Sequence, residues 1–328
     1  MSSHPALTER ALSVLARQVG TARSEWRRRW LSYVPTVAFV VLATFAAVTS
    51  DAFLSQGNLS NLFKQIFTNG LISLGMLVVI LSAGIDLSVG ATVALAGIVA
   101  AGLLNMLPWP IAIPLAVAVA TVAGGLNGTL VAWFRLPPFV ATLATMSAIR
   151  GFVYVVSETP ITPNESAFRQ LVASNVGPVP TVAIFMVGCF LLVSFFLRQT
   201  TMGRAIYAIG GNEEAVRLAG INVRAHVMLA YLISGMFAGL AGVILASRVG
   251  IAQPSVGAGF ELDAIAACVI GGASLAGGRG SVRGTFAGVL LLGLISNLLN
   301  LYSVQAYYQQ IFKGALIVLA VLARRREG

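Results

Sequence analysis

The residue types that carry out enzyme chemistry are few and scattered in this sequence. The two histidines, His4 and His226, lie far apart, and no Ser/His/Asp or Cys/His constellation can be assembled around them. Cys189 and Cys268 stand in apolar surroundings without a Cys-x-x-Cys motif, which favours packing over disulfide or metal chemistry. We therefore predict no catalytic residue, no metal site and no bound cofactor, and the sequence argues against an enzyme.

The sequence also offers no site for ATP or for a coupling ion. A phosphate-binding loop requires a Gly-Lys-Ser/Thr motif, but the two lysines, Lys64 and Lys313, each follow a phenylalanine. Ion-driven carriers usually keep paired ionisable residues inside the membrane. Only Asp86, Arg150 and Lys313 approach that depth in the sequence, so we expect no such pair.

The composition indicates a helical protein that crosses a membrane several times. Apolar residues make up 57% of the chain and charged residues 10%, and a soluble domain cannot hide so much apolar surface. A helix needs about 20 apolar residues to cross the hydrocarbon core. We therefore predict an all-α polytopic fold with about ten transmembrane helices, some of them broken or short. The expected spans are 33–50, 65–83, 87–105, 109–133, 138–156, 180–197, 226–247, 262–276, 284–301 and 305–323.

The distribution of positive charge predicts the orientation. Most of the 21 lysines and arginines fall before the first span, in alternate loops or after the last span, and the positive-inside rule makes that side cytoplasmic. Both termini are therefore expected in the cytoplasm, and the high net charge does not indicate nucleic-acid binding. We divide the chain into a cytoplasmic tail, 1–32, and a membrane domain, 33–325. The tail is expected to be either an amphipathic surface helix or disordered.

Two stretches interrupt the helical pattern at membrane depth. They read "SAGIDLSVG" at 82–90 and "GGASLAGGRGSVRG" at 271–284, and irregular backbone persists there only when it is buried in protein or lines a watery path. A shift of 193 positions aligns six identical residues in the two stretches, so either the halves are duplicated or chance produced the match. Asp86 is expected either to cap the following helix or to act in a gate.

Several polar residues within the spans are candidates for a hydrophilic pathway, although hydrogen bonding between helices is the alternative for each. These pathway or gate candidates are Asn69, Asp86, Asn127, Thr142, Thr145 and Asn297. Small residues also recur at four-residue spacing, as in Gly124 with Gly128 and Gly235 with Gly239. This spacing indicates close packing between helices, mostly inside the subunit.

The loop 198–225 contains a short polar helix. In "GGNEEAVRLAGIN", Asn212 suits the N-cap, Glu213 and Glu214 suit the first turn, and Gly220 suits the C-terminal stop. Helices this short are marginal alone in water, so this helix must dock on its own bundle or on a partner. A chain without its own ATP site favours a separate motor subunit as that partner.

These stretches resemble those of the ribose-type sugar permeases of bacterial ATP-binding-cassette importers. The resemblance covers about residues 35 to 325 and includes "GIDLSVG" at 84–90, "NG" at 127–128 and "PPFVATLATM" at 137–146. It also includes "GRAIYAIGGNEEAVRLAGI" at 203–221 and "GGASLAGGRGSVRGT" at 271–285. The N-terminal 30 residues fall outside it.

The resemblance implies a permease of the bacterial inner membrane that works with three kinds of partner. Two permease copies, as a homodimer, would form the pathway, two cytoplasmic ATPases would bind ATP, and a periplasmic binding protein would deliver a monosaccharide. The helix in loop 198–225 would then couple to the ATPase through Gly211, Asn212, Glu213, Glu214, Ala215, Arg217 and Gly220. Branched-chain amino-acid and nucleoside permeases, an ion-coupled carrier and a membrane scaffold are the alternatives.

Overall fold

The computed structural model describes residues 33–164, 168, 172, 174–176 and 179–325. The predicted tail, 1–32, lies outside these residues. The described part contains twelve helices and one two-stranded hairpin of β1 (Asn175–Val176) and β2 (Val179–Pro180). The helices are α1 (Tyr33–Thr49), α2 (Gln56–Leu81), α3 (Val89–Leu104), α4 (Trp109–Ala132), α5 (Pro138–Val156), α6 (Thr181–Gln199), α7 (Thr201–Gly211), α8 (Glu213–Leu218), α9 (Val223–Val249), α10 (Phe260–Ile270), α11 (Val282–Leu301) and α12 (Ala306–Arg325).

Helix α2 lies at the centre of the bundle. Every residue from Gly70 to Leu81 is buried, which leaves no solvent-facing stripe, as expected of a helix that is apolar on all sides. Helices α6, α9, α10 and α11 pack around it. Helix α5 lies at the periphery, with only 17% of its most apolar stretch buried. Its outer face is therefore available to lipid or to another chain.

The predicted small-residue contacts form inside the subunit, between α4 and α9. A Cβ atom on Gly124 would lie 2.9 Å from the Cα of Gly235, and one on Gly239 would lie 2.7 Å from the Cβ of Ala120. Glycine at these positions permits the two backbones to approach more closely than larger residues would allow. These glycines are therefore packing residues of the subunit core.

The multi-pass helical architecture is confirmed, but the number of ten crossings is not. Six helices, α2, α4, α5, α6, α9 and α11, are long and apolar enough to cross a membrane, and α1 and α3 are shorter apolar helices. The expected span 262–276 becomes α10, which has 11 residues. At about 1.5 Å per residue this helix is far shorter than the hydrocarbon core of about 30 Å.

The two interrupted stretches become connections with the same plan. The first break, residues 82–88, joins α2 to α3, and the second break, residues 271–281, joins α10 to α11. Ser88 and Ser281, which the shift of 193 positions aligns, each occupy the N-cap of the helix that follows. This shared helix–break–helix arrangement agrees with duplicated halves.

At the end of the bundle away from the two breaks, the loops are hydrogen-bonded to one another. Ile161 pairs with Ala252 in an antiparallel bridge, and one guanidinium nitrogen of Arg150 donates to the carbonyls of Pro254 and Val256, each at 2.7 Å. A single arginine on α5 thus holds the segment that precedes α10.

Candidate functional site

The predicted loop helix is present as α8, with the expected terminal residues. The side chain of Asn212 accepts a hydrogen bond of 2.9 Å from the backbone N–H of Ala215, and Glu213 and Glu214 occupy the first turn. Gly220 follows the C-terminal end with a φ of 79°, a left-handed conformation that favours glycine. The local structure of this segment was therefore readable from its sequence.

Helix α8 buries little of its own surface. Val216 points inward and is 7% exposed, whereas Leu218 is 77% exposed. The sequence analysis did not select Leu218, although a leucine on an otherwise polar, short helix was the available signal. An exposed leucine beside charged residues is suited to contact with a partner.

A charged pair stiffens the exposed face of α8. The guanidinium of Arg217 makes two hydrogen bonds to the carboxylate of Glu214, at 2.6 and 3.1 Å. These hydrogen bonds lower the pKa of the Glu214 carboxyl below its ordinary value. Both side chains are solvent-exposed, so the pair orients the surface of α8 and adds little to the stability of the fold.

A cavity of about 900 Å³ opens beside α8. One wall is lined by Glu213, Glu214 and Arg217, and another by the turn between α4 and α5. Gly84 of the first break and Tyr231 of α9 also line the cavity. The cavity therefore connects the surface of α8 with the first break.

A buried carboxylate lies next to this cavity in the first break. Asp86 is 1% exposed, and its Oδ1 accepts hydrogen bonds from the backbone N–H (3.0 Å) and hydroxyl (2.7 Å) of Ser88. Its Oδ2 accepts a hydrogen bond of 2.8 Å from the hydroxyl of Ser234 on α9. Asp86 thus stabilises the start of α3 and also joins α3 to α9.

Three more of the predicted pathway residues join this cluster. The side-chain amide of Asn127 on α4 donates to Asp86 at 3.2 Å and to Ser88 at 2.7 Å. Thr145 on α5 donates to the carbonyl oxygen of Asn127, and Thr142 donates to the backbone carbonyl of Ile85 at 3.2 Å. We call Asp86, Ser88, Asn127, Thr142, Thr145 and Ser234 the polar cluster. It ties three helices, α4, α5 and α9, to the first break.

The other two predicted pathway residues lie elsewhere. Asn297 on α11 exchanges two side-chain hydrogen bonds with Asn58 on α2, of 2.8 and 3.1 Å. Asn69 is half-buried on α2, and its carbonyl accepts a bond from Ser73. Neither belongs to the polar cluster, because Asn69 lies on α2 well before the first break and Asn297 pairs with Asn58 near the start of α2.

A charge pair lies between α10 and α12, neither of which is among the six helices long and apolar enough to cross a membrane. The ammonium of Lys313 on α12 lies 2.8 Å from the Oδ2 of Asp263 on α10, and both side chains are largely buried. The sequence search missed Asp263 because it lies in the first turn of α10, where an acidic residue is also expected at a helix start.

The chain matches the protein family described as "branched-chain amino acid transport system / permease component" over residues 58–321. The ribose import permease protein of Haemophilus influenzae is 41% identical and covers 88% of this chain and 91% of the relative. The ribose import permease protein of Escherichia coli strain K12 is 39% identical over 95% of this chain and its own full length. The D-allose transport system permease protein of that strain is 39% identical over 87% and 89%. No solved structure matches the chain.

Proposed function

The chain belongs to the family of permease components of branched-chain amino-acid transport systems, and from this premise we propose that it is the permease subunit of an ATP-binding-cassette importer for a monosaccharide. We choose a monosaccharide as the solute because the chain aligns over nearly the whole length of relatives that are named for ribose, allose and xylose. The family description itself keeps a branched-chain amino acid as the second candidate.

We place the chain in a bacterial inner membrane, which it crosses about ten times with both termini in the cytoplasm. In this orientation α8 and the cavity face the cytoplasm. Arg135, from the turn between α4 and α5, lines the same cavity as Arg217 and Arg224, which come from the loop 198–225. Arginine-rich loops are a mark of the cytoplasmic side. The closed loops around Ile161 and Ala252 would then face the periplasm and the substrate-binding protein.

The proposed role of α8 is to dock on a separate ATPase subunit. Its cap, its acidic first turn and the exposed Leu218 form a short projection, which packs on the chain through Val216 and continues from α7 at Asn212. A separate motor is required because the sequence has no phosphate-binding loop.

The polar cluster is the proposed inner gate of the pathway. It lies at the inner end of the bundle, and Thr142 and Tyr231 both donate to the carbonyl of Ile85, the residue before Asp86. Movement of α5 or α9 would therefore break hydrogen bonds at the first break. A second permease copy, packed on exposed helices such as α5, would complete the pathway as a homodimer.

The test is uptake of labelled ribose by cells that express this chain together with an ATPase subunit and a periplasmic binding protein from the same genome. We expect ATP-dependent uptake that unlabelled ribose, allose or xylose reduces and leucine leaves unchanged. Competition by leucine alone would favour the amino-acid candidate, and uptake that persists without the ATPase would contradict the proposal.

A further inference from the structure

Helix α7 and the docking helix α8 are joined by one residue. The backbone N–H of Asn212 donates to the carbonyl of Ala208 at the end of α7, at 2.9 Å, while its side chain caps α8. No flexible linker separates the two helices, so a displacement of α8 must move the end of α7.

The end of α7 lies directly against the last residue of α2 and the backbone of the second break. A Cβ atom on Gly210 would overlap the carbonyl oxygen of Leu81 and the backbone nitrogen of Gly278. Those two groups are themselves hydrogen-bonded, with Gly278 donating to Leu81 at 3.1 Å. Leu81 is the last residue of α2, and Gly278 lies in the second break. Gly210 therefore contacts the end of α2 and the second break at the point where a hydrogen bond joins them.

Neighbouring residues strengthen this contact. A Cβ atom on Gly277 would lie 2.7 Å from the Cβ of Ala83 and 2.8 Å from the carbonyl oxygen of Gly210. The hydroxyl of Tyr207 on α7 donates to the carbonyl of Gly280 at 3.0 Å. Helix α7 is thus packed on and hydrogen-bonded to the second break, which in turn contacts the first break at Ala83.

Glycine is required here by distance as well as by conformation. Gly277 and Gly278 have φ values of 88° and 66°, which disfavour any other residue. Contacts between backbones contain no rotatable side chain. A displacement of one backbone therefore moves the other, because no side chain can absorb it by changing rotamer.

We propose that the motor's movement enters the membrane domain through this junction, and that Gly210 is the positioning residue at its centre. The inference rests on the proposed function. As α8 follows the ATPase, α7 would displace the end of α2 and the second break together. The first break would then shift against the polar cluster, where Asp86 holds α9 and α4.

The experiment compares Gly210→Ala with Gly188→Ala in the reconstituted complex of permease, ATPase and binding protein. A Cβ atom on Gly188 of α6 meets nothing within 4 Å, so this variant controls for a methyl group added to a helix outside the junction and outside α8. The readouts are the amount of ATPase that copurifies, ATP hydrolysis and uptake of labelled ribose. Tyr207→Phe, which removes only the hydrogen bond to Gly280, is the second variant.

We expect Gly210→Ala to keep the ATPase bound and hydrolysing ATP while uptake falls roughly ten- to a hundredfold, because small misplacements have such effects on positioned steps. Gly188→Ala should match the wild type, and Tyr207→Phe should lower uptake without loss of bound ATPase. Equal uptake by the two alanine variants overturns the inference. If Gly210→Ala does not assemble, unchanged uptake by Tyr207→Phe overturns it and reduced uptake supports it. Absence of ATP-dependent uptake in the wild type would instead refute the proposed function.

Discussion

Ser234 on α9 donates a hydrogen bond of 2.8 Å to the Oδ2 of Asp86 in the first break, across 148 residues of sequence. The carboxylate is buried, and its other partners are Ser88 and Asn127, so Ser234 is the one described donor to Oδ2. Removing a hydrogen bond to a buried charge leaves that oxygen without a partner. This contact therefore links the position of α9 to the stability of the break.

We predict that Ser234→Ala destabilises the purified protein by about 1–3 kcal/mol. Thr68→Val is the matched control, because the Thr68 hydroxyl is also buried but has no hydrogen-bond partner in the described part of the chain. That variant should leave stability unchanged or raise it. Thermal unfolding in detergent measures both, and equal losses in the two variants would contradict the role of Ser234.

Two replacements of Asp86 should distinguish the contribution of its shape to stability from the contribution of its charge. In Asp86→Asn the amide oxygen can still accept from Ser88 and Asn127, and the Ser234 hydroxyl can rotate to accept from the new N–H₂ group. Asp86→Ala removes the acceptor that Ser88, Asn127 and Ser234 share, so it should be less stable than Asp86→Asn by about 1–3 kcal/mol. The comparison uses the same unfolding assay, and an Asp86→Ala protein as stable as Asp86→Asn would rule out the polar cluster as a stabilising unit.

The docking surface of α8 is testable with two truncations of similar size. Leu218→Ala removes an exposed side chain, so the amount of copurified ATPase should fall severalfold while the unfolding temperature stays constant. Val216→Ala removes a buried side chain and should lower stability by about 1 kcal/mol or more. If Leu218→Ala copurifies with as much ATPase as the wild type does, Leu218 is not part of the interface.

The ion pair between Lys313 and Asp263 should act as a structural contact between α10 and α12. Lys313→Met or Asp263→Asn alone leaves a largely buried charge unpaired, which costs about 3–5 kcal/mol. The double variant removes both charges and should recover most of that loss and retain ATP-driven uptake. Loss of uptake in a stable double variant would show that the pair takes part in transport and would revive the ion-coupled alternative.

The sequence was sufficient for those features that depend on local residue types. The cap at Asn212, the stop at Gly220 and the two breaks follow from short-range preferences of Asn and Gly, and the multi-pass class follows from composition. The positions of the helices were also close, because long apolar runs have clear ends. The number of crossings was not readable, since α10 is apolar yet has only 11 residues.

Features that depend on three-dimensional proximity were not readable from one sequence. Asp86 and Asn127 were selected separately as polar residues in apolar surroundings, but Ser234 was not, because a serine in a helix can bond its own backbone. The contact of Gly210 with Leu81 and Gly278 joins three distant segments, and no local pattern indicates it. The same holds for the pair of Lys313 with Asp263.

The proposed function requires that this chain moves its solute only when a separate ATPase drives it. The direct measurement is uptake of labelled ribose into proteoliposomes that contain the permease alone or the complex with ATPase and binding protein. We predict uptake by the complex only with ATP on the side of α8, and none by the permease alone under a proton or sodium gradient. Gradient-driven uptake by the permease alone would contradict the account.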